Sequence, residues 1–311
     1  MKTDTKLYSL KDAVREVKSG SHITLGGFAH SLAPLAFVRE MIRQDISDLE
    51  VTAMGEAWAV DMLSGAKALK KVRMSNFMFE GWGRCRNFSR AVEEGEIEVE
   101  DYSHFGITNR MFAGSMGIPF IPVKTMSGSD IYHERSFEKN NKFVDYTCPF
   151  TEEKVLLVPK VEPDVAIIHA SRADVNGNVQ LYGISSTLEV AAKSAKKVIV
   201  TVEEIVEEEI IRKQPELTIL PSFLVDAVIH LPYGAHPAGM YKYYDYDSDH
   251  INLYIESTRT NEKFKEYMVE YIKGTENEIE YLEKIGLKQL LSLKADPYYG
   301  YSLHNRGEVL Q

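Results

Sequence analysis

The chain has 311 residues, 44% of them hydrophobic, with 36 Lys and Arg against 46 Asp and Glu and a formal net charge of −10. That length allows one large α/β domain or two small ones, and the apolar content excludes wholesale disorder. The acidic balance argues against nucleic acid and anionic membranes as general partners, while leaving room for a local basic pocket. Two cysteines, Cys85 and Cys148, are too few for a disulfide framework or a Cys-rich zinc site. The polar start MKTDTKLYSLKDAV has no signal-peptide core, and no run of about 18 apolar residues occurs. The expectation is a soluble protein in a reducing, cytoplasmic setting.

In chain order, residues 9–18 read as a short amphipathic helix capped by Ser9, with Leu10, Ala13, Val14 and Val17 on one face. SGSHITLGGF then reads as turn, buried strand and glycine loop. Pro34 opens a second helix. DLEVTA (48–53) is a second strand, AWAVDMLSG a helix stopped by Gly65, and KKVRMSNF the start of a third strand. This strand–loop–helix rhythm predicts a parallel sheet covered by helices. EIEVEDY (96–102) alternates like a half-exposed edge strand, and NRMFAGSMGI reads as a helix ending near Gly117. IPFIPV is a short buried run. Residues 127–153 are polar and show no period, so they read as the longest irregular insertion, a lid or interface arm.

Strands resume with KVLLVPK, DVAIIHAS, NVQLYG, KKVIVTV and DAVIHLP. The final third is helical, with Phe264, Met268, Tyr271 and Ile272 on one face. The tail PYYGYSLHNRGEVLQ has no period and reads as packing on a neighbour or fraying. The whole is one α/β domain, residues 1–311, an open and mostly parallel sheet with flanking helices, carrying residues 258–311 as a helical extension.

Gly26-Gly27-Phe28, between a strand and a helix start, is a place where backbone approaches an anion or an oxyanion. It lacks the third glycine of a dinucleotide loop and the Gly-Lys-Ser/Thr of a P-loop, and a simple tight turn explains it equally well. Gly81-Trp82-Gly83 is a weaker signal of the same type. Arg84, Arg86 and Arg90 could hold a carboxylate, or simply sit solvated. Glu56, just past the strand at 49–53, is a candidate nucleophile or base at a strand's carboxyl end, against the plainer reading of an exposed helix cap. His169, inside an apolar strand, reads as a satisfied core histidine. The Glu203–Glu209 run reads as a solvated acidic helix face. Asp174 to Asn178 has the chemistry of a hairpin turn. No short metal spacing and no nucleophile elbow appear among the nine histidines.

Three segments, VKSGSHITLGGFAHSLAP, DVAIIHASRADVNGN and PYGAHPAGMYKYYDYD, occur in an order that resembles the class I coenzyme A transferases. Within that family the chain is similar to the A-type (alpha) subunits of the glutaconate CoA-transferase subgroup, from about residue 8 to residue 300. The resemblance implies a partner B (beta) subunit of similar fold, an active site between the two, and an A2B2 or larger assembly. It implies ping-pong transfer from an acyl-CoA to a carboxylic acid through a glutamyl-CoA thioester. No metal or redox cofactor is needed; the coenzyme A thioester is substrate. In two-subunit members the glutamate lies in a Ser-Glu-Asn-Gly-type motif of the partner. This chain has no such motif, so it is expected to lack the nucleophile, with Glu56 as the only hedge.

The same subgroup includes ring-opening hydrolases and decarboxylases acting on CoA thioesters, which stand as the alternative reading. In the ring-opening relatives a catalytic glutamate sits near the position held here by Ser103-His104, and a histidine there disfavours that chemistry. A ligand-sensing role on the same fold is a third possibility. For the transferase, the amides of Gly26, Gly27 and Phe28 are candidate oxyanion donors. Lys124, Ser127, Gly128 and Ser129 are candidates for holding a substrate's remote carboxylate.

Overall fold

Several apolar runs followed by a loop and a helix become the central strands of a mostly parallel sheet. The structure, a computed structural model, describes residues 5–133, 136 and 142–303. Along these residues the strands are β1 (His22–Leu25), β2 (Leu49–Thr52), β3 (Leu69–Met74), β4 (Glu98–Asp101), β5 (Phe120–Val123), β6 (Val144–Thr147), β7 (Lys154–Pro159), β8 (Val165–Ala173), β9 (Val179–Gln180), β10 (Lys197–Ile205), β11 (Thr218–Leu220) and β12 (Ala227–His230). The parallel array runs β4-β3-β2-β1-β8-β10-β12. All nine residues of β8 are buried, as expected for the centre of such an array. Its start pairs with β1 through Ile23 opposite Val165, and its end pairs antiparallel with β9 through Ala173 opposite Val179.

The rhythm read along the first 80 residues is present, with helices Leu35–Arg43 and Ala57–Gly65 linking successive parallel strands. β4 lies at the edge of the array, as its alternation predicts. It is not simply half-exposed, however. Glu100 is 1% exposed and pairs with the buried Arg73 of β3 at 3.1 Å. Gly117 ends the helix His104–Met116 in the left-handed conformation that favours glycine.

The stretch 127–153 departs from expectation. It contains the short helix Asp130–His133 and strand β6, and β6 joins β5 and β7 in a separate antiparallel sheet of order β5-β7-β6. All four residues of β6 are exposed, so no burial period marks it in the sequence. Residues 134, 135 and 137–141 of this stretch lie outside the described residues. The inner face of the small sheet packs Val123, Leu156 and Val158 into a second core with Tyr102, Ile107 and Met111.

The C-terminal helices are tied down by buried ions. Arg39, in the helix Leu35–Arg43, is fully buried and forks onto Glu278 with contacts of 2.6 and 3.0 Å. Arg43 reaches the same carboxylate at 2.9 Å. Arg39 also donates to the carbonyl of His236 at 2.8 Å and stacks 3.7 Å from the Tyr281 ring centroid. His236 bridges Asp247 at 3.0 Å and the Tyr281 hydroxyl at 2.7 Å. Arg86 and Arg90 donate to the carbonyls of Ile255 and Thr258, and Arg84 pairs with Glu93. These arginines therefore hold helices or neighbouring side chains. At Gly65 the extension presses close: a Cβ there would meet the Phe264 ring at 2.3 Å. Within the helical final third, Gly286, with φ 91°, separates the helices Glu278–Ile285 and Leu287–Leu293. Of the tail, residues 304–311 lie outside the described residues.

Candidate active site

Parallel strands place all their carboxyl ends on one edge, and the loops leaving them meet there. Four of those loops carry candidate residues: Gly26–Ala33 after β1, Ala53–Glu56 after β2, Ser75 after β3 and Tyr102–His104 after β4.

The first loop is tightly wound. Gly27 has φ 129°, and Ala29 and Leu32 adopt positive φ values of 51° and 65°. Residues 28–31 close a turn, with Phe28 N donating to Ser31 O at 3.0 Å and Ser31 N to Phe28 O at 3.1 Å. This corrects the expectation of three available amides. Gly26 N is spent on Ile167 O at 2.9 Å and Phe28 N on Ser31, while the Gly27 amide has no hydrogen-bond partner among the described residues. Glycine is required at position 27: a Cβ would lie 2.7 Å from Glu56 Cγ and 3.1 Å from Ala33 Cα. The Phe28 side chain is 41% exposed at the rim.

Glu56 caps the helix Ala57–Gly65, accepting from Ala59 N at 3.0 and 3.2 Å. It is not the exposed cap or the crevice-lining carboxylate that its position suggests, because it is 1% exposed. Burial pushes its pKa up to about 8, against the pull of the Ala59, Val60 and Trp58 amides. A buried, protonated carboxyl is a weak nucleophile.

Ser103 caps the helix His104–Met116, accepting from Gly106 N at 3.0 Å, and donates to Thr125 Oγ1 at 3.1 Å. His104 is exposed and its Nδ1 contacts Ser75 Oγ at 2.6 Å. The ends of β3, β4 and β5 thus touch through two serines, a histidine and a threonine. Lys124 does not join them. Period-2 alternation puts it on the opposite face of β5 from Val123 and Thr125. There it pairs with Glu153 at 2.6 Å, beside a groove of about 400 Å³ lined by Phe120, Tyr146 and Phe150. Ser127 and Gly128 are exposed in the turn that follows, Gly128 with φ 74°, and Ser129 donates to Met126 O at 2.7 Å.

The glycine loop is held from the far end of the chain. His169 is fully buried, as expected, between Thr201 Oγ1 at 2.8 Å and Glu203 at 2.7 Å. Glu203 is thereby removed from the supposed acidic helix face. It lies in β10, is 6% exposed, and accepts from the Tyr244 hydroxyl at 2.8 Å and the amides of Tyr233 and Gly234 at 2.8 and 3.3 Å. Those bonds fix the segment after β12. That segment meets the loop through Gly239 N to His30 O at 2.7 Å, Leu32 N to Gly239 O at 3.2 Å and Ala36 N to Gly234 O at 2.9 Å. The three sequence blocks that carry the resemblance are one physical unit.

Sequence reasoning missed His30 and the aromatic residues around it. Its ring lies edge-on to Trp82 with centroids 4.7 Å apart, and 5.8 Å from both Trp58 and Tyr246. Trp58 Nε1 donates to Ala29 O at 2.9 Å and Trp82 Nε1 to Asn252 Oδ1 at 2.9 Å, so both walls are fixed. The only sequence signal was the histidine three residues after Gly27.

A mostly parallel sheet flanked by helices, with a glycine loop and polar side chains gathered at its strand ends, is an α/β fold of the kind that places ligand sites at that edge. Residues 7–231 match the family described as Coenzyme A transferase. The chain is 37% identical to the A-type subunit of glutaconate CoA-transferase from Acidaminococcus fermentans, over 96% of this chain and 98% of that protein. It is likewise 37% identical to the A-type subunit of 3-oxoadipate CoA-transferase from Pseudomonas knackmussii, over 90% of this chain and 98% of the relative. The crystal structure of glutaconate coenzyme A-transferase from Acidaminococcus fermentans superposes with a TM-score of 0.90, covering 96% of this chain and 98% of that chain at 37% identity. The chain belongs to the coenzyme A transferase family. Among the described residues no helix is long and apolar enough to cross a membrane.

Proposed function

We propose that this chain is the A-type subunit of a heteromeric CoA-transferase that moves CoA from an acyl-CoA to a mono- or dicarboxylic acid. The observation that carries the reading is the 37% identity to the A-type chain of a glutaconate CoA-transferase over 96% of the present chain. The geometry agrees with it. Glu56, the carboxyl group beside the Gly27 loop, is buried and pushed up to about pKa 8, which fits a nucleophile supplied by a B-type partner. In the ping-pong cycle the partner's glutamate carboxylate attacks the donor acyl-CoA, the donor acyl group leaves as its free carboxylate and CoA remains as a glutamyl-CoA thioester. The acceptor carboxylate then takes the CoA by the reverse steps, leaving as the new acyl-CoA and restoring the glutamate. The energy of the thioester bond is kept on the enzyme between the two halves, so neither half needs another energy source.

This chain's part is to present donors. The Gly27 amide faces the developing oxyanion. Ser103, His104 and the turn at Ser127, Gly128 and Ser129 line the acyl group, with Gly26 and Phe28 shaping the loop. Lys124, paired with Glu153 on the far face, takes no part. No metal or redox cofactor takes part, and the complex is a cytoplasmic A2B2 or larger assembly.

The test is to purify the chain with and without its co-encoded B-type neighbour, treat the complex with acyl-CoA, reduce with borohydride and map the modified peptide. The isolated chain is expected to be inactive and the adduct to fall on the partner. Full turnover by the isolated chain, or a modified Glu56, overturns the reading. CoA-ester hydrolysis without transfer to an acid would move the chain to the hydrolase alternative.

A further inference from the structure

His30 combines three properties that are seldom found together. Its Nδ1 is buried and has no hydrogen-bond partner among the described residues. The residue as a whole is only half-buried, and its Nε2 has no partner among the described residues. Its ring is fixed in place by Trp58, Trp82 and Tyr246. A neutral imidazole carries one N–H and one lone pair. Placing the proton on Nδ1 would bury a donor with no acceptor, which structures avoid more strictly than an idle lone pair. The proton therefore belongs on Nε2, the nitrogen that faces outward. Burial lowers the pKa of His30, opposed only by the charge of Glu80, so the ring stays neutral near pH 7.

The placement is specific. His30 sits in the closed 28–31 turn at the carboxyl end of β1, three residues from the Gly27 amide, and its own carbonyl is clamped by Gly239 N at 2.7 Å. Backbone and ring are both immobilised before any ligand arrives. A rigid neutral donor with an unspent N–H, at the edge where an acid must bind, loses little entropy on binding.

We propose that His30 is a substrate-contacting residue that donates Nε2–H to a carboxylate oxygen of the acid substrate. This rests on the reading that the strand ends form the transferase site. An aromatic filler would need the ring's shape; a donor needs its nitrogen.

His30→Phe keeps the ring in its aromatic surroundings and removes the donor. His30→Gln returns an N–H at about the distance of Nε2. In the assembled complex, His30→Phe is expected to lower kcat/KM for the acid by about 10- to 100-fold, the scale of one hydrogen bond to a charged group. His30→Gln is expected to recover most of that loss. A His30→Phe complex within twofold of the parent overturns the proposal, as does a glutamine variant no better than phenylalanine. A second measurement uses the unaltered complex. Diethyl pyrocarbonate should modify His30, and a saturating acid substrate should protect it, as read by peptide mass spectrometry. Equal modification with and without acid overturns the proposal, even if the phenylalanine variant fails to assemble. The borohydride mapping of the complex tests the site reading separately. An adduct on the partner together with an unprotected His30 removes this proposal and leaves that reading standing.

Discussion

The C-terminal clamp and the glycine-loop edge both concentrate polar groups inside a largely apolar protein, and they finish that task differently. In the clamp, Arg39 spends its donors on Glu278 and the His236 carbonyl, and His236 spends both ring nitrogens on Asp247 and Tyr281. At the edge, the Gly27 amide and both nitrogens of His30 are left without partners among the described residues, and the carboxyl of Glu56 is buried with its pKa pushed up to about 8. Complete pairing marks a part that only has to stay put. Unspent groups held on a stiff frame mark a part made for something that arrives later.

The largest expected effect breaks the clamp. Glu278→Ala leaves the buried Arg39 guanidinium without its carboxylate and should destabilise the fold by about 3–5 kcal/mol. The check is the denaturant midpoint of the assembled complex, and an unchanged midpoint would deny the clamp its structural role. Next comes the edge itself. Gly27→Ala forces a side chain onto a backbone with φ 129° and into Glu56 Cγ. Turnover should fall by roughly 10²-fold, the scale of losing one oxyanion donor, while assembly with the partner, followed by size-exclusion chromatography, persists. Undiminished turnover would make the loop a plain turn.

Glu56→Gln sharpens the comparison through pH. A carboxyl whose folded pKa is raised to about 8 from 4.5 adds stability that is complete below about pH 4.5 and lost as the pH rises toward 8. The expected result is that the parent loses stability across that window relative to the variant, measured as the difference between their two unfolding curves. Parallel curves would show that Glu56 is already ionised in the fold. Activity should survive this change, because the carboxyl is not the nucleophile. The smallest effect is at Lys124, whose pair with Glu153 is exposed on both sides. Lys124→Ala should shift thermal stability by less than about 1 kcal/mol. A larger shift would mean that the small sheet depends on that pair.

The sequence made the buried strands legible because parallel strands are apolar throughout and glycine or polar turns separate them. It also located the glycine loop, the Pro34 and Ser9 helix starts and the hairpin at Asp174. It hid β6, because a strand with every residue exposed shows no alternation of burial. It hid the role of Glu203, because an acidic run looks solvated until β10 carries its first member inward to His169. It hid the surroundings of His30 most completely. Trp58, Trp82 and Tyr246 come from three separate stretches of chain, and only the closed fold brings them to one ring.

The hydrogen bonds from Gly239 to His30 and Leu32 have a further consequence, in the order of synthesis. A ribosome delivers the glycine loop among the first tenth of the chain and its clasp only after three quarters. Throughout that interval β1 can pair with β2, but the loop beyond it has nothing to hold its left-handed turns. Contacts between such distant parts of a chain form late. The substrate-facing surface is therefore among the last features to take shape, and a nascent chain arrested before residue 239 should leave the peptide bonds around Gly27 open to a protease that cannot reach them in the finished protein.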